Sequence, residues 1–274
     1  MSLFVVNENE CKKDGLCVAA CPMLIIELKD QNSVPTPTRN AEELCIRCGH
    51  CVAVCPHGAL SHVAMTPEAC PPFRKDWHLD QEQVEHFLRS RRSIRSFKDQ
   101  PVERDLLLKL IDIARFAPSG HNTQPVRWLV IYDSAEVRRL SGMVIDRMRY
   151  MLKEEPAMAK ERHMDHVVAA WEAGNERICR GAPHVIVAHA PEEERTAPVA
   201  CAIALSYLEL AAPSFGLGAC WAGYFKEAAS MWPPMQEALG LPEGHITFGA
   251  MMVGYPKFGY QRLPLRNEAQ IIWQ

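Results

Sequence analysis

Cys45-Ile46-Arg47-Cys48-Gly49-His50-Cys51-Val52-Ala53-Val54-Cys55-Pro56 sets four thiols at C-x-x-C-x-x-C-x-x-x-C and then a proline. In a run of this spacing, three thiolates hold one [4Fe–4S] cluster and the fourth reaches across to a second. Upstream, Cys11, Cys17 and Cys21-Pro22 repeat the pattern with one change: the second ligand position holds Asp14. By the crossing rule, Cys45, Cys48, Cys51 and Cys21 hold one cluster. Cys11, Cys17 and Cys55, with Asp14 in fourth place, hold the other. A carboxylate is a harder and weaker ligand for iron than a thiolate. The second cluster is therefore expected either to keep a labile fourth iron on Asp14 or to lose it and become [3Fe–4S].

A structural zinc site is the alternative, because C-x-x-C pairs also bind zinc, and His50 and His57 would be spare ligands. A motif that occurs once in full and once with a single substitution does not have zinc-finger spacing. Disulfides are not expected, since the first residues lack the basic start, apolar core and cleavage site of a secretory leader. A reducing, cytoplasmic setting follows. Cys70, Cys179, Cys201 and Cys220 are scattered and read as small buried hydrophobes or a loop thiol.

The chain has 274 residues, 48% hydrophobic, with a formal net charge of −3. That length allows one large or two modest domains. The charge gives no pointer to nucleic acid or to an anionic membrane. The most apolar stretch, Val199 to Ala212, carries Glu209 and reads as a buried helix too short to span a bilayer. Residues 1–63 form the cysteine domain, residues 64–80, rich in proline and charge, a linker, and residues 81–274 a second domain. There, helical stretches alternate with β-branched runs, among them Val126–Tyr132, Val185–Ala188 and Ile246–Val253, in an α+β or α/β layering. Ser134 is the expected N-cap of a helix reaching Leu152. Lys226–Leu239 is expected to be largely helical despite Pro233 and Pro234. Neither the phosphate-binding G-x-x-x-x-G-K-[ST] nor a G-x-G-x-x-G fingerprint is present.

The second domain carries a different anion-binding chemistry. Arg91-Arg92-Ser93-Ile94-Arg95-Ser96-Phe97 gathers guanidinium groups and a hydroxyl, which suit a phosphate; taken alone it reads equally well as a solvated basic helix end. Ala117-Pro118-Ser119-Gly120-His121-Asn122-Thr123-Gln124-Pro125 is a polar turn between an apolar helix and a strand. Gly216-Leu217-Gly218-Ala219-Cys220-Trp221-Ala222-Gly223 is glycine-rich, and Gly254-Tyr255-Pro256-Lys257 with Arg262-Leu263-Pro264 returns a cation after the last strand. These segments, in this order, resemble the flavin-dependent nitroreductase family from about Gln83 to the C-terminus. With the cysteine domain in front, the chain resembles the ferredoxin-fused branch of that family.

The resemblance implies an α+β fold, with a bacterial ferredoxin-like domain followed by a mixed sheet flanked by helices, assembled as an intertwined homodimer with FMN at the interface. Position by position, Arg91, Arg92, Ser93 and Arg95 would hold the FMN phosphate and ribityl chain, and Arg262 would close on the phosphate. Pro118, Ser119, Gly120 and Asn122 would approach the ring from the partner subunit, and Trp221, Ala222 and Gly223 would lie beside it. Two positions depart from the family pattern: Tyr260 stands where many members have Lys, and Gly223 where many small members have Glu. No side chain need act as nucleophile, since the flavin carries the chemistry. The expected activity is reduction of a nitroaromatic, quinone or activated alkene with electrons from NAD(P)H or reduced ferredoxin. The alternative is a non-catalytic electron-transfer or redox-sensing protein acting through a partner. The charged segment Glu154–Arg180, where the family varies most, would cover the substrate. In it, His163 and His166 read as a solvated helix face and Trp171 as a packing anchor.

Overall fold

Short elements separated by turns dominate the cysteine-rich part of the chain, because closely spaced ligand positions leave no room for long ones. The computed structural model describes residues 2–274. It divides into two units: one runs through Leu79 and includes His121–Thr123, the other comprises Asp80–Gly120 and Gln124–Gln274. In the first, β1 (Phe4–Val6) pairs antiparallel with β4 (Leu60–His62), and β2 (Ile26–Glu27) with β3 (Thr36–Pro37). Three helices of four or five residues, α1 (Leu16–Ala20), α2 (Ala41–Leu44) and α3 (His50–Ala53), lie among them. The core is small: Leu3, Phe4, Ile25, Ile26, Ala41, Val52 and Leu60 are buried with Cys17 and Cys21. So small a core gains much of its stability from whatever its thiols bind. Cys70, expected as a loop thiol without a role, packs partly buried against this core.

The second unit opens with α4 (Gln81–Ser90), whose first turn is closed by a capping box: Gln83 N donates to Asp80 Oδ1 at 2.8 Å and Asp80 N to Gln83 Oε1 at 3.1 Å. There follow α5 (Arg104–Ala114), β5 (Arg127–Ile131), α6 (Ser134–Glu154), α7 (Pro156–Glu161), α8 (Met164–Glu172), β6 (His184–Pro191), α9 (Ala197–Ala211), β7 (Gly218–Trp221), α10 (Gly223–Met231), α11 (Pro233–Leu239) and β8 (His245–Gly254). The sheet order is β5-β6-β8-β7, and every neighbouring pair is antiparallel. The α+β class stands, but within one chain the ladder is antiparallel rather than mixed: β6 and β7 run in the same direction, and β8 inserts between them.

The period-2 alternation of β6 explains the layering. Val185 and Val187 face one core, with Leu140, Val144, Ile145 and Met148 of α6 and Phe225 of α10. Ile186 and Ala188 face the other, with Leu107 and Leu110 of α5 and Cys201, Leu205 and Leu208 of α9. Two local expectations are corrected. The α6 N-cap is Asp133, whose carboxylate accepts from Ala135 N at 2.8 Å, so Ser134 is the first helical residue. Lys226–Leu239 is helical as expected except at Trp232, where the helix breaks because proline cannot continue α10 but suits the first turn of α11. The apolar stretch containing Val199 extends from Ala197 through a 3₁₀ turn to Phe215, long and apolar enough by length and composition to cross a membrane. One face of it, with Cys201, Leu205 and Leu208, packs against the sheet, and the other, with Val199 and Tyr207, is exposed.

His184 fixes the start of β6. Its Nε2 accepts from Val102 N at 2.8 Å, so Nδ1 carries the hydrogen and donates to Tyr132 O at 2.7 Å. Tyr132 stacks on the ring with centroids 4.5 Å apart. Burial lowers the His184 pKa, against the raising effect of the Tyr132 carbonyl. A histidine depressed in the folded state binds its proton more readily once unfolded. Its stabilising contribution is therefore complete above the unfolded value of about 6.5 and is lost as pH falls below it. The urea midpoint should fall between pH 7.5 and 5.5, with His189 and His62, lowered in the same direction, contributing. A midpoint that is flat or rises on acidification would contradict this.

Candidate functional site

The two cysteine half-motifs fold alike. Lys13 and Arg47, Gly15 and Gly49, and Leu24 and Gly58 are related by the same chain offset as Cys11 and Cys45. All six have positive φ, at 59° and 52°, 73° and 76°, and 53° and 59°. Gly15 and Gly49 each precede a short helix, where the left-handed conformation favours glycine. On this repeated frame Asp14 occupies the place of Cys48. Cys21, Cys45, Cys48 and Cys51 line one cavity. Cys11, Asp14, Cys17 and Cys55 line another. The fourth thiol of each half thus reaches the other half's cavity.

The thiols surround space instead of converging on a point. Among the described residues, no three His, Cys, Asp or Glu side chains stand close enough to hold one metal ion. Zinc, with Zn–S bonds near 2.3 Å, needs ligands that converge on one point; a cluster takes its ligands at the corners of a wider polyhedron. His50 and His57, the spare zinc ligands, are exposed, and each lines one of the two cavities. Burial raises the Cys17 thiol, with Cys55 and Cys11 adding to it, and pushes Cys51 up to about 11, with Cys48 and Cys21 adding. Binding must therefore displace protons. One Asp14 oxygen accepts from Leu16 N at 3.1 Å.

In the second unit the chain leaves α4 at Arg91 and is stitched to the sheet. Ile94 N donates to Ala219 O at 2.9 Å, Lys98 N to Tyr255 O at 2.8 Å and Lys257 N to Ser96 O at 3.0 Å. The arginine segment, the glycine-rich segment and the Gly254–Lys257 turn therefore meet. The close approach depends on Gly218: a methyl group there would lie 2.9 Å from Ile94 Cβ. Gly218→Ala is expected to cost about 1–3 kcal/mol by overpacking. Gly223→Ala, with nothing within 4 Å, should be near neutral. Equal urea midpoints for the two variants would contradict the packing argument.

Arg91 Nη1 donates to Glu209 Oε1 at 2.8 Å and to Ser93 Oγ at 3.3 Å. Glu209, on the buried side of α9, is 8% exposed and Arg91 27%. Arg92 Nε donates to the Arg91 carbonyl at 2.8 Å. Ser93, Arg95, Glu209 and Arg180 all act on the Cys220 thiol, which burial nonetheless holds above its usual value. Arg180 has φ 58°. Its loop is shaped by Glu176, whose carboxylate accepts from Ile178, Cys179 and Gly181 amides at 2.6, 2.7 and 2.9 Å. Arg89, Arg91 and Arg92 line a groove with Leu263 to Arg266. Arg262 is exposed and outside that lining, so Arg266 is the tail cation at the groove. The cations and the Ser93 hydroxyl make a donor set suited to a phosphate dianion.

Ala222 N donates to Ala250 O at 2.9 Å, and Gly223 opens α10 beside the half-exposed Trp221. The polar turn is not drawn into this group as a whole. Ser119 Oγ accepts from Gln124 N at 2.9 Å, Gly120 packs on Thr196, and Pro118 is exposed. Asn122 belongs to the first unit, where its amide donates to the carbonyls of Ile46 and Arg47 at 3.1 Å each. Trp171 packs against Gly142, whereas His163 and His166 sit edge to face, 5.9 Å apart. Sequence reasoning missed Glu209, Arg180, Glu176 and Arg266. Only Glu209 carried a signal, as the one carboxylate in an otherwise apolar helix.

A family model described as the nitroreductase family matches residues 88–255, and one described as a 4Fe-4S dicluster domain matches residues 9–60. An NADH dehydrogenase of Thermus thermophilus is 30% identical over 199 residues, covering 67% of this chain and 92% of that protein. A putative NADH dehydrogenase/NAD(P)H nitroreductase of Archaeoglobus fulgidus is 25% identical over 173 residues, covering 61% and 82%. The crystal structure of a nitroreductase with bound FMN from Bacteroides fragilis aligns with a TM-score of 0.58 at 19% identity, covering 72% of this chain and 100% of that one. At that identity the likeness speaks to the fold. The family match runs from α4 to Tyr255 and takes in the arginine and glycine-rich segments that meet at the sheet, and on that ground the chain belongs to the nitroreductase family.

Proposed function

We propose that this enzyme binds FMN and two iron–sulfur clusters and reduces a small organic acceptor, such as a nitroaromatic, a quinone or an activated alkene. The observation that carries the reading is the meeting of Arg91, Ser93 and Arg95 with the glycine-rich strand and the last turn, in a chain that also holds two thiol-lined cavities. Bound FMN supplies hydride and single-electron chemistry. Arg91, Arg92 and Ser93 bind its phosphate and ribityl chain, with Arg266 at the groove in place of Arg262. Arg95 and Arg180 supply positive charge that favours an anionic reduced ring. Trp221, Ala222 and Gly223 lie beside the ring and keep water from it.

Pro118, Ser119 and Gly120 approach from the second copy of a homodimer, where Asn122 was also expected; its amide bonds to the cysteine loop argue for a structural share in its role. Val84, Phe87 and Leu88, the apolar face of α4, are exposed, as are Leu265, Ile272 and Trp273 of the tail. Exposed apolar surface of this kind marks an interface. The setting is the cytoplasm. Relatives named for NAD(P)H favour a nicotinamide donor over reduced ferredoxin. In anaerobic stopped flow, NADH or NADPH alone should bleach the flavin absorbance. Bleaching only by reduced ferredoxin would replace that donor, and bleaching by neither would defeat the proposal.

A further inference from the structure

We infer that His62 is a positioning residue for the four-cysteine cluster: its Nε2–H donates to the sulfur of Cys45 and raises the reduction potential of that cluster. The inference rests on the reading of that cavity as a cluster site. His62 ends β4, is 5% exposed, and is paired with Phe4 of β1. The turn after it closes with Met65 N donating to His62 O at 3.0 Å and His62 N to Met65 O at 2.9 Å, which holds the residue in place.

The tautomer follows from a second bond. Ala64 N donates to Nδ1 at 2.9 Å, so Nδ1 carries the lone pair. A neutral imidazole then has its hydrogen on Nε2. Nε2 lies 3.4 Å from Cys45 Sγ, within hydrogen-bond reach of a sulfur acceptor. Arg47 N donates to the same sulfur at 3.4 Å. Cys45 thus receives two N–H donors, one of them a side chain. In the other cavity the donors seen are backbone amides: Ala59 N to Cys55 Sγ at 3.3 Å, and the Val18 amide to the Cys17 thiol. Reduction adds negative charge to the cluster and its sulfurs. An N–H fixed on a ligating sulfur stabilises the reduced form more than the oxidised one, and so raises the potential. Asp14 in the second ligand set already makes the clusters unequal; His62 adds a second, independent difference on the cysteinyl side.

A purely structural role for His62 would rest on the Ala64 bond and would leave potentials alone. The test is an EPR-monitored redox titration of the anaerobically purified full chain, with iron content measured alongside. His62→Leu should move one midpoint to more negative potential, leave the other in place, and keep iron per chain unchanged. His62→Gln, which retains an N–H donor, should fall between wild type and His62→Leu. Unchanged midpoints in His62→Leu at full iron content would overturn the inference while leaving the cluster reading intact; absence of iron from the wild type would overturn both. Should His62→Leu fail to fold, pulsed EPR of protein carrying histidine labelled with ¹⁵N at the ring nitrogens decides, in a His50→Gln background because His50 also lines this cavity. A ring ¹⁵N coupling to the reduced four-cysteine cluster supports the bond, and its absence overturns it.

Discussion

Arg91→Ala should abolish FMN retention and lower the stability of the second unit by about 3 kcal/mol. The two effects have separate causes. Glu209 is 8% exposed, and its Oε1 takes the 2.8 Å bond from Arg91. Removing one partner of a buried ion pair leaves a charge desolvated and uncompensated, at a cost of about 3–5 kcal/mol. The lower end applies because Arg91 is 27% exposed and solvent screens part of the charge. The loss of flavin comes from the guanidinium donors that the phosphate would use. A double variant divides them: Arg91→Met with Glu209→Leu replaces both charges with apolar groups and should restore most of the urea midpoint without restoring flavin. If the double variant binds FMN as the wild type does, Arg91 is a structural residue and the phosphate lies elsewhere.

Asp14→Cys should change the iron stoichiometry. With Asp14 in the place that Cys48 holds in the other half, the wild type exposed to air should keep about seven irons per chain and show an oxidised [3Fe–4S] EPR signal. A thiolate in that place is the softer and stronger ligand, so the variant should keep about eight irons and lose the signal. The frame supports the exchange, because Gly15 and Gly49 take the same left-handed turn beside the two positions. Two identical cysteinyl signals in the wild type would contradict the reading of Asp14.

Much of the site was legible because its ligands are close in sequence. The crossing of Cys21 and Cys55 is an expectation of the spacing; Cys21 lines a cavity with Cys45, Cys48 and Cys51, and Cys55 one with Cys11, Asp14 and Cys17. The arginine and glycine-rich segments were legible as motifs, though only the sheet shows why they meet: Ile94 pairs with Ala219 across more than half the second unit. Long-range partners left little trace. Nothing near Arg91 points to Glu209, more than a hundred residues on. Arg180 is placed by the three amides that Glu176 gathers, a loop geometry without hydrophobic period. His62 gains its meaning from a turn with Ala64 and from proximity to Cys45. The antiparallel ladder escaped because the strand runs were read one by one, and their order depends on β8 entering between β6 and β7.

A flavin and iron–sulfur clusters in one chain should both be recoverable from the same sample. Heat-denaturing the anaerobically purified protein and identifying the flavin in the supernatant by chromatography should give about one FMN per chain, released without covalent cleavage. A colourless supernatant from protein that retains its iron would contradict it.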